Sequence, residues 1–223
     1  MKHQMEVIAH IQTDFATKFG VPRQSGLADL EARIVFEPNY RNPDALRGIE
    51  GFSHLWLIWN FSEAERDTWS PTVRPPRLGG NARLGVFATR SPFRPNPIGL
   101  SAVKLIRVED TEEGKTLIVS GADLMNGTPI YDIKPYLPYA DCHPEAAGGF
   151  AAAPRTDRLA VDFPAELLEK VPEGKRNGLL DVLREDPRPR YQEDAERIYG
   201  FGFAGLEIRF QVAEGRLKVI SVE

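Results

Sequence analysis

Residues 99–123 read GLSAVKLIRVEDTEEGKTLIVSGAD. Two runs, 99–109 and 115–123, are rich in β-branched and apolar side chains and flank the turn Thr111-Glu112-Glu113-Gly114. This pattern predicts an antiparallel hairpin. Outward from it the same texture continues. Residues 4–12 (QMEVIAHIQ) alternate apolar and polar side chains, 31–36 (EARIVF) form a second strand pattern, and 53–60 (SHLWLIWN) read as a buried aromatic strand. Residues 85–89 are a further strand candidate. Asn42-Pro43-Asp44 predicts a short helix, with Asn42 as N-cap and Pro43 at the first helical position, ending near Gly48. Short strands separated by turn signals predict a mainly β fold, a small antiparallel barrel-like domain with short helices. No Gly-x-Gly-x-x-Gly follows the first strand, and strands do not alternate with long helices, which argues against a doubly wound nucleotide-binding domain.

The composition changes near Cys142. Residues 143–157 are small, flexible and poorly patterned, and read as a linker or covering loop. Beyond it, 164–171 and 178–185 read as short helices, the second stopped by Asp186-Pro187, and 206–222 as a hairpin turning at Glu214-Gly215. The expected division is a barrel over 1–142, a loop over 143–157 and a small C-terminal α+β domain over 158–223.

The composition also limits function. Apolar residues make up 42% of the 223, enough to fill a core, yet the longest apolar run, 55–61, is far too short to span a bilayer. The N-terminus lacks the apolar centre of a signal peptide, so a cytoplasmic protein is expected. One cysteine excludes an internal disulfide and a cysteine-only zinc site, and four scattered histidines lack ligand spacing, so no metal is expected. The net charge of -4 argues against a nucleic-acid partner only if charge is evenly spread. It is not: residues 70–107 carry seven Lys and Arg and no Asp or Glu.

Four segments could carry chemistry. In 87–100 (FATRSPFRPNPIGL), Pro92, Pro95 and Pro97 stiffen the backbone from which Arg90 and Arg94 project, as a positioned anion or cofactor site requires. The plainer alternative is a proline-rich strand end. In 121–141, Asp123, Asp132, Lys134 and Asp141 interleave with Tyr131, Tyr136 and Tyr139. Rings that stack on a base and carboxylates that accept from hydroxyl or amino groups suit adenosine recognition, although the tyrosines could simply cover the core. His54 could serve as a base, a ligand or a hydrogen-bonded structural residue. In 186–191 (DPRPRY), Arg188, Arg190 and Tyr191 offer charge and a ring for a phosphate or an unpaired base, or else solvated charge at a helix stop.

Taken together, GFSHLWLIWNF (51–61), GVFATRSPFRPNPIGLSAVKL (85–105) and DLMNGTPIYDIKPYLPYAD (123–141) resemble the TrmO/TsaA-like methyltransferase family. The likeness extends to VPRQ (21–24), DPRPRY and YGFGFAGLEIRF (199–210). The resemblance implies a homodimer that moves a methyl group from S-adenosylmethionine to the exocyclic nitrogen of N(6)-threonylcarbamoyladenosine, beside the anticodon of threonine tRNA. It implies a cofactor site at Pro22, Arg23, Gln24, His54, Leu55, Arg90, Leu100, Asp123, Leu124, Met125 and Asn126. The tRNA anticodon stem-loop would meet Arg94, Lys134, Tyr136, Arg188 and Tyr191. Candidates for the proton acceptor are Asp132, Asp141 and His54. Asn126 stands where the family more commonly has an aspartate, so it can bond to hydrogen but supplies no charge. The rival reading is a binding module for adenosine ligands or RNA that performs no chemistry.

Overall fold

The computed structural model describes residues 3–152, 158–188 and 194–223. Strands β1 (Ala9–Gln12), β2 (Glu31–Phe36), β3 (His54–Asn60), β6 (Ile98–Thr111), β7 (Gly114–Ser120) and β8 (Pro129–Pro135) close into a barrel. Their order around it is β1-β2-β7-β6-β3-β8, and β8 returns to β1 through Ala9 opposite Ile130. The predicted hairpin is β6–β7, closed by Thr111 opposite Gly114. Alternation along each strand sends one face inward: Ile11, Ile34, Leu55, Leu57, Leu117 and Ile130 are all fully buried. A side chain of this kind contributes about 1.5–3 kcal/mol when it leaves water. The run 53–60, which reads as wholly buried, is in fact two-faced: Leu55, Leu57 and Trp59 point into the barrel, while His54 lies exposed on the other face.

Between β3 and β6 the chain leaves the barrel as an arm. Its short hairpin pairs β4 (Thr72–Val73) with β5 (Leu84–Gly85). The strand expected over 85–89 is only partly formed, because Val86–Ala88 turns into a 3-10 helix. Val86 is buried there, and its carbonyl accepts from both the backbone N and the Oγ1 of Thr89.

A second sheet, ordered β10-β11-β12-β9, is built from β9 (Ala160–Asp162), β10 (Tyr199–Phe203), β11 (Leu206–Ala213) and β12 (Arg216–Val222). Glu214 and Gly215 both take positive φ in the β11–β12 turn, as the sequence indicates. After the short helices α1 (Pro138–Asp141) and α2 (Ala165–Leu168), helix α3 (Glu173–Arg184) begins five residues earlier than its apolar pattern suggests, since its first turn, EGKRN, is polar. Its buried face is Gly178, Leu179, Val182 and Leu183. This core also takes in Phe15, Ala28 and Leu30 from the N-terminal part of the chain. Residues 13–30 therefore form a clasp. At the barrel end Thr13 Oγ1 donates to the Leu124 carbonyl at 3.1 Å, and Gly26 N donates to the Gly121 carbonyl at 2.8 Å. At the other end Ala204 N donates to the Asp14 carbonyl, and Gly20 lies against the Phe201 ring with no room for a Cβ.

Among the described residues no helix is long and apolar enough to cross a membrane, and no group of three or more His, Cys, Asp or Glu could hold a metal ion.

Candidate functional site

A cleft of about 1440 Å³ opens where the clasp, the rim of β3 and β6, and the arm meet. Pro22, Arg23 and Gln24 line it from the clasp, Arg90 and Arg94 from the proline-rich loop, Leu100 from β6, and Asp123 and Met125 from the turn after β7. Residues a hundred positions apart thus share one wall.

Asp123 is the cleft carboxylate tied to the barrel core. Ser101 Oγ donates to its Oδ1 at 2.5 Å, and Trp59 Nε1 donates to Ser101 Oγ at 3.0 Å. Both Ser101 and Trp59 are buried, so this chain of bonds runs from the barrel core to the cleft wall. The register of β3 on β6 sets Trp59 opposite Gly99, and Ser101 is two residues further along. Gly99 is needed there: a Cβ on it would fall 2.2 Å from Trp59 Cε2. Burial pushes the Asp123 carboxyl above the usual carboxylate range, opposed by the Ser101 bond, backbone N–H groups and the charge of Arg90. Across the cleft, Arg90 Nη1 donates to Gln24 Oε1, and Gln24 Nε2 donates to the Arg23 carbonyl at 2.5 Å. Arg23 Nη2 donates to the carbonyls of Asp186 and Arg188, each at 2.9 Å, which ties the cleft to the second sheet's unit. Arg94 Nη1 donates to the Thr89 and Ser91 carbonyls and so braces its own loop.

Other expected site residues are placed differently. Leu55 and Leu124 are buried in the barrel core, so only their backbone can serve a ligand. Asn126 Oδ1 accepts from Thr13 N at 3.1 Å, a contact that an aspartate oxygen would make equally well. His54, Asp132, Lys134, Tyr136 and Asp141 do not line the cleft. Asp132 is ion-paired with Lys134 at 2.7 Å. Asp141 accepts from Leu137 N at 2.8 Å and Trp56 Nε1 at 2.9 Å, and these bonds hold its carboxyl below the usual range, which makes it a weak base. His54 Nδ1 lies 2.9 Å from Ser53 Oγ, and its ring adjoins Tyr136, which in turn adjoins Trp56. Trp56 does line the cleft, so this cluster borders the site at one remove. The Arg188 guanidinium is spent on both oxygens of Asp186, at 2.8 and 3.0 Å. Arg190 and Tyr191 lie outside the described residues. Sequence reasoning missed Trp59, Ser101 and Gly99, whose alignment becomes visible only from the strand register, and Arg66, whose guanidinium lies 3.7 Å over the Phe93 ring.

The donor set suits an adenosine-type ligand that carries both charge signs. Asp123 can accept from ammonium or hydroxyl groups, Arg90 can face a carboxylate, and Leu100 and Met125 offer apolar contact. A closed barrel with a cationic cleft, clasped to a small α+β unit, defines a ligand-binding β-barrel protein of a kind distinct from the doubly wound nucleotide-binding folds.

Comparison with known proteins narrows that class. Residues 10–142 match the tRNA-methyltransferase O N-terminal domain, and residues 156–223 match the TrmO C-terminal domain. The tRNA (adenine(37)-N6)-methyltransferase of Escherichia coli (strain K12) is 42% identical, across 99% of this chain and 97% of that protein. A putative S-adenosylmethionine-dependent methyltransferase, RcsF, of Pseudomonas aeruginosa is also 42% identical, across 94% of this chain and 93% of its own. The crystal structure of TrmO from Pseudomonas aeruginosa superposes with a TM-score of 0.80 at 31% identity, covering 100% of this chain and 99% of that one. The chain belongs to the tRNA-methyltransferase O family and is a methyltransferase.

Proposed function

We propose that this protein transfers the methyl group of S-adenosylmethionine to the exocyclic nitrogen of N(6)-threonylcarbamoyladenosine beside the anticodon of threonine tRNA. The observation that carries the reading is Asp123, fixed by Ser101 and Trp59 at the wall of an arginine-lined cleft in a chain of this family. The cofactor would supply a methyl group on a sulfonium, open to displacement by the substrate nitrogen. Asp123 and Gln24 would hold its polar groups, Arg90 its carboxylate, and Leu100 and Met125 its apolar parts. Acceleration would come chiefly from alignment, with the reacting atoms brought to about 3–3.5 Å.

The residues read as proton acceptors stand outside the cleft, whose own carboxylates are Glu63, Asp67 and Asp123. The carbamoyl-linked nitrogen becomes acidic as it is alkylated, so its proton can leave to solvent or to one of these three. Arg94 would face the RNA or the threonyl carboxylate. Homodimer formation is supported by Ile106, an apolar side chain exposed on β6 outside the cleft lining. We further propose folding units over 1–142 and 158–223, with 13–30 as the clasp between them. A protein acting on tRNA as proposed would work in the cytoplasm.

Calorimetry with S-adenosylmethionine, followed by methyl transfer to tRNA with and without the threonylcarbamoyl group, tests this function. We expect binding, and transfer to the modified tRNA alone. Binding without transfer would favour the non-catalytic module.

A further inference from the structure

We propose that the arm between β3 and β6 is a stacking platform for single-stranded RNA, with Trp69 and Phe87 holding an unpaired base next to the nucleotide in the cleft. The inference rests on the tRNA reading and deepens it by naming the surface that grips the RNA flanking the target.

Two large aromatic side chains are exposed together on the arm. Trp69 is 52% and Phe87 73% exposed, with ring centroids 6.1 Å apart and planes 33° from each other. An exposed apolar pair of this kind marks an interaction site. The chain beside them is stiff: Pro71, Pro75 and Pro76 flank β4, and Pro92, Pro95 and Pro97 follow Phe87. Rings on such a backbone lose little conformational freedom when they bind.

Charge selects the occupant. From Thr68 to Val108 there is no Asp or Glu, while Arg74 and Arg83 sit on either side of the hairpin loop and line the cleft wall. Neither has an ion-pair partner among the described residues; Arg83 only reaches Thr72 Oγ1, at 3.5 Å. A second copy of this chain meeting this surface with its own arm would bring the same cations to the contact and be repelled. A polyanion with bases that can stack meets both features, and stacking on aromatic side chains accepts any base. The size of the cleft agrees. Its 1440 Å³ exceeds the ~300–1,000 Å³ of an ordinary small-molecule site, which leaves room for a nucleotide beside the cofactor.

The test uses the full chain and an anticodon stem-loop RNA, with binding measured at several salt concentrations. Trp69→Ala with Phe87→Ala should weaken RNA binding roughly tenfold while leaving the salt slope unchanged. Arg74→Gln with Arg83→Gln should weaken binding and lower the salt slope by about two. Affinity for S-adenosylmethionine should hold in Phe87→Leu, whose side chain is not part of the cleft lining, and there reports an intact cleft. Phe87→Leu, which keeps the apolar bulk but removes the ring, should weaken RNA binding alone and guards against misfolding of the double variant. RNA affinity within twofold of the wild type in the aromatic variants would overturn the proposal, as would a change in their oligomeric mass, which would make the pair a contact between copies. A wild-type protein that binds RNA through the arm yet methylates none would instead sink the methyltransferase reading and leave the platform standing.

Discussion

Gly99→Ala tests whether the barrel core and the cleft are one mechanical unit. The added Cβ would lie 2.2 Å from Trp59 Cε2 and 2.5 Å from both Cδ2 and Cζ2. Trp59 cannot swing aside, because it is only 6% exposed and packs on Phe61 with ring centroids 4.2 Å apart. Forcing a methyl group into such packing costs about 1–3 kcal/mol. Moving the indole also strains the 3.0 Å bond from Nε1 to Ser101, and a buried polar group left without a partner costs about 1–3 kcal/mol more. Alanine is the better strand residue by about 0.5–1 kcal/mol, which offsets a little of this. The net expectation is a loss of about 1–5 kcal/mol in the barrel's urea transition, followed by tryptophan fluorescence. Because Ser101 orients Asp123, affinity for S-adenosylmethionine should fall as well. A loss under about 0.5 kcal/mol, with ligand affinity unchanged, would refute the reasoning.

Three further outcomes follow from the same structure. Asp123→Asn should weaken cofactor binding yet leave the apo protein as stable or more so at neutral pH. The folded carboxyl has a raised pKa, so the native state binds more protons than the unfolded chain. Stability is therefore lost as pH rises from about 4 through the folded value, and urea titrations across pH should show that slope vanish in the variant. Asp186 behaves in the opposite sense: burial acts to raise its pKa, but the Arg188 bonds and charge outweigh it and the net shift is downward. Its contribution is present above about pH 3.9 and lost as pH falls through the folded value, so Asp186→Asn should unfold at a higher pH in an acid titration. Asparagine tolerates the positive φ of 54° at this position, which isolates the charge effect. Gly178→Ala would ordinarily favour helix α3 by about 1 kcal/mol. Here the Cβ would meet Leu30 Cδ2 at 2.3 Å and the Asp29 carbonyl at 2.9 Å, so thermal unfolding should show a destabilised protein.

What could be read from the chain depended on how local the cause was. β2, the β6–β7 hairpin, the Asn42 cap and the Glu214-Gly215 turn are set by neighbouring residues and appear where the pattern puts them. The helical turn at 86–88, where Val86 N donates to the Pro71 carbonyl, and the polar first turn of α3, where Lys175 pairs with Asp14, have partners distant in sequence, and local pattern misses them. The clasp is similar: nothing in residues 13–30 announces that Phe15 and Leu30 belong to the far core. At the site, Arg90, Leu100 and Asp123 stood out through the family resemblance, and the fold gathers them around one cleft. His54, Asp132 and Asp141 looked equally reactive on paper. Which residues of a strand reach a cleft is decided by its phase and register, and these place His54 and Asp132 elsewhere, while Asp141 sits in the helical turn that follows β8. The Trp59–Ser101–Asp123 chain is hidden for the same reason, since it exists only once Trp59 faces Gly99 across two strands.

The most direct test of the central claim is nucleoside mass spectrometry of threonine tRNA from cells with and without this gene. The account predicts that threonylcarbamoyladenosine carries an added methyl group only when the protein is present, and that Asp123→Asn reduces it. Equal methylation in both cells, or methylation that appears on adenosine lacking the threonylcarbamoyl group, would contradict it.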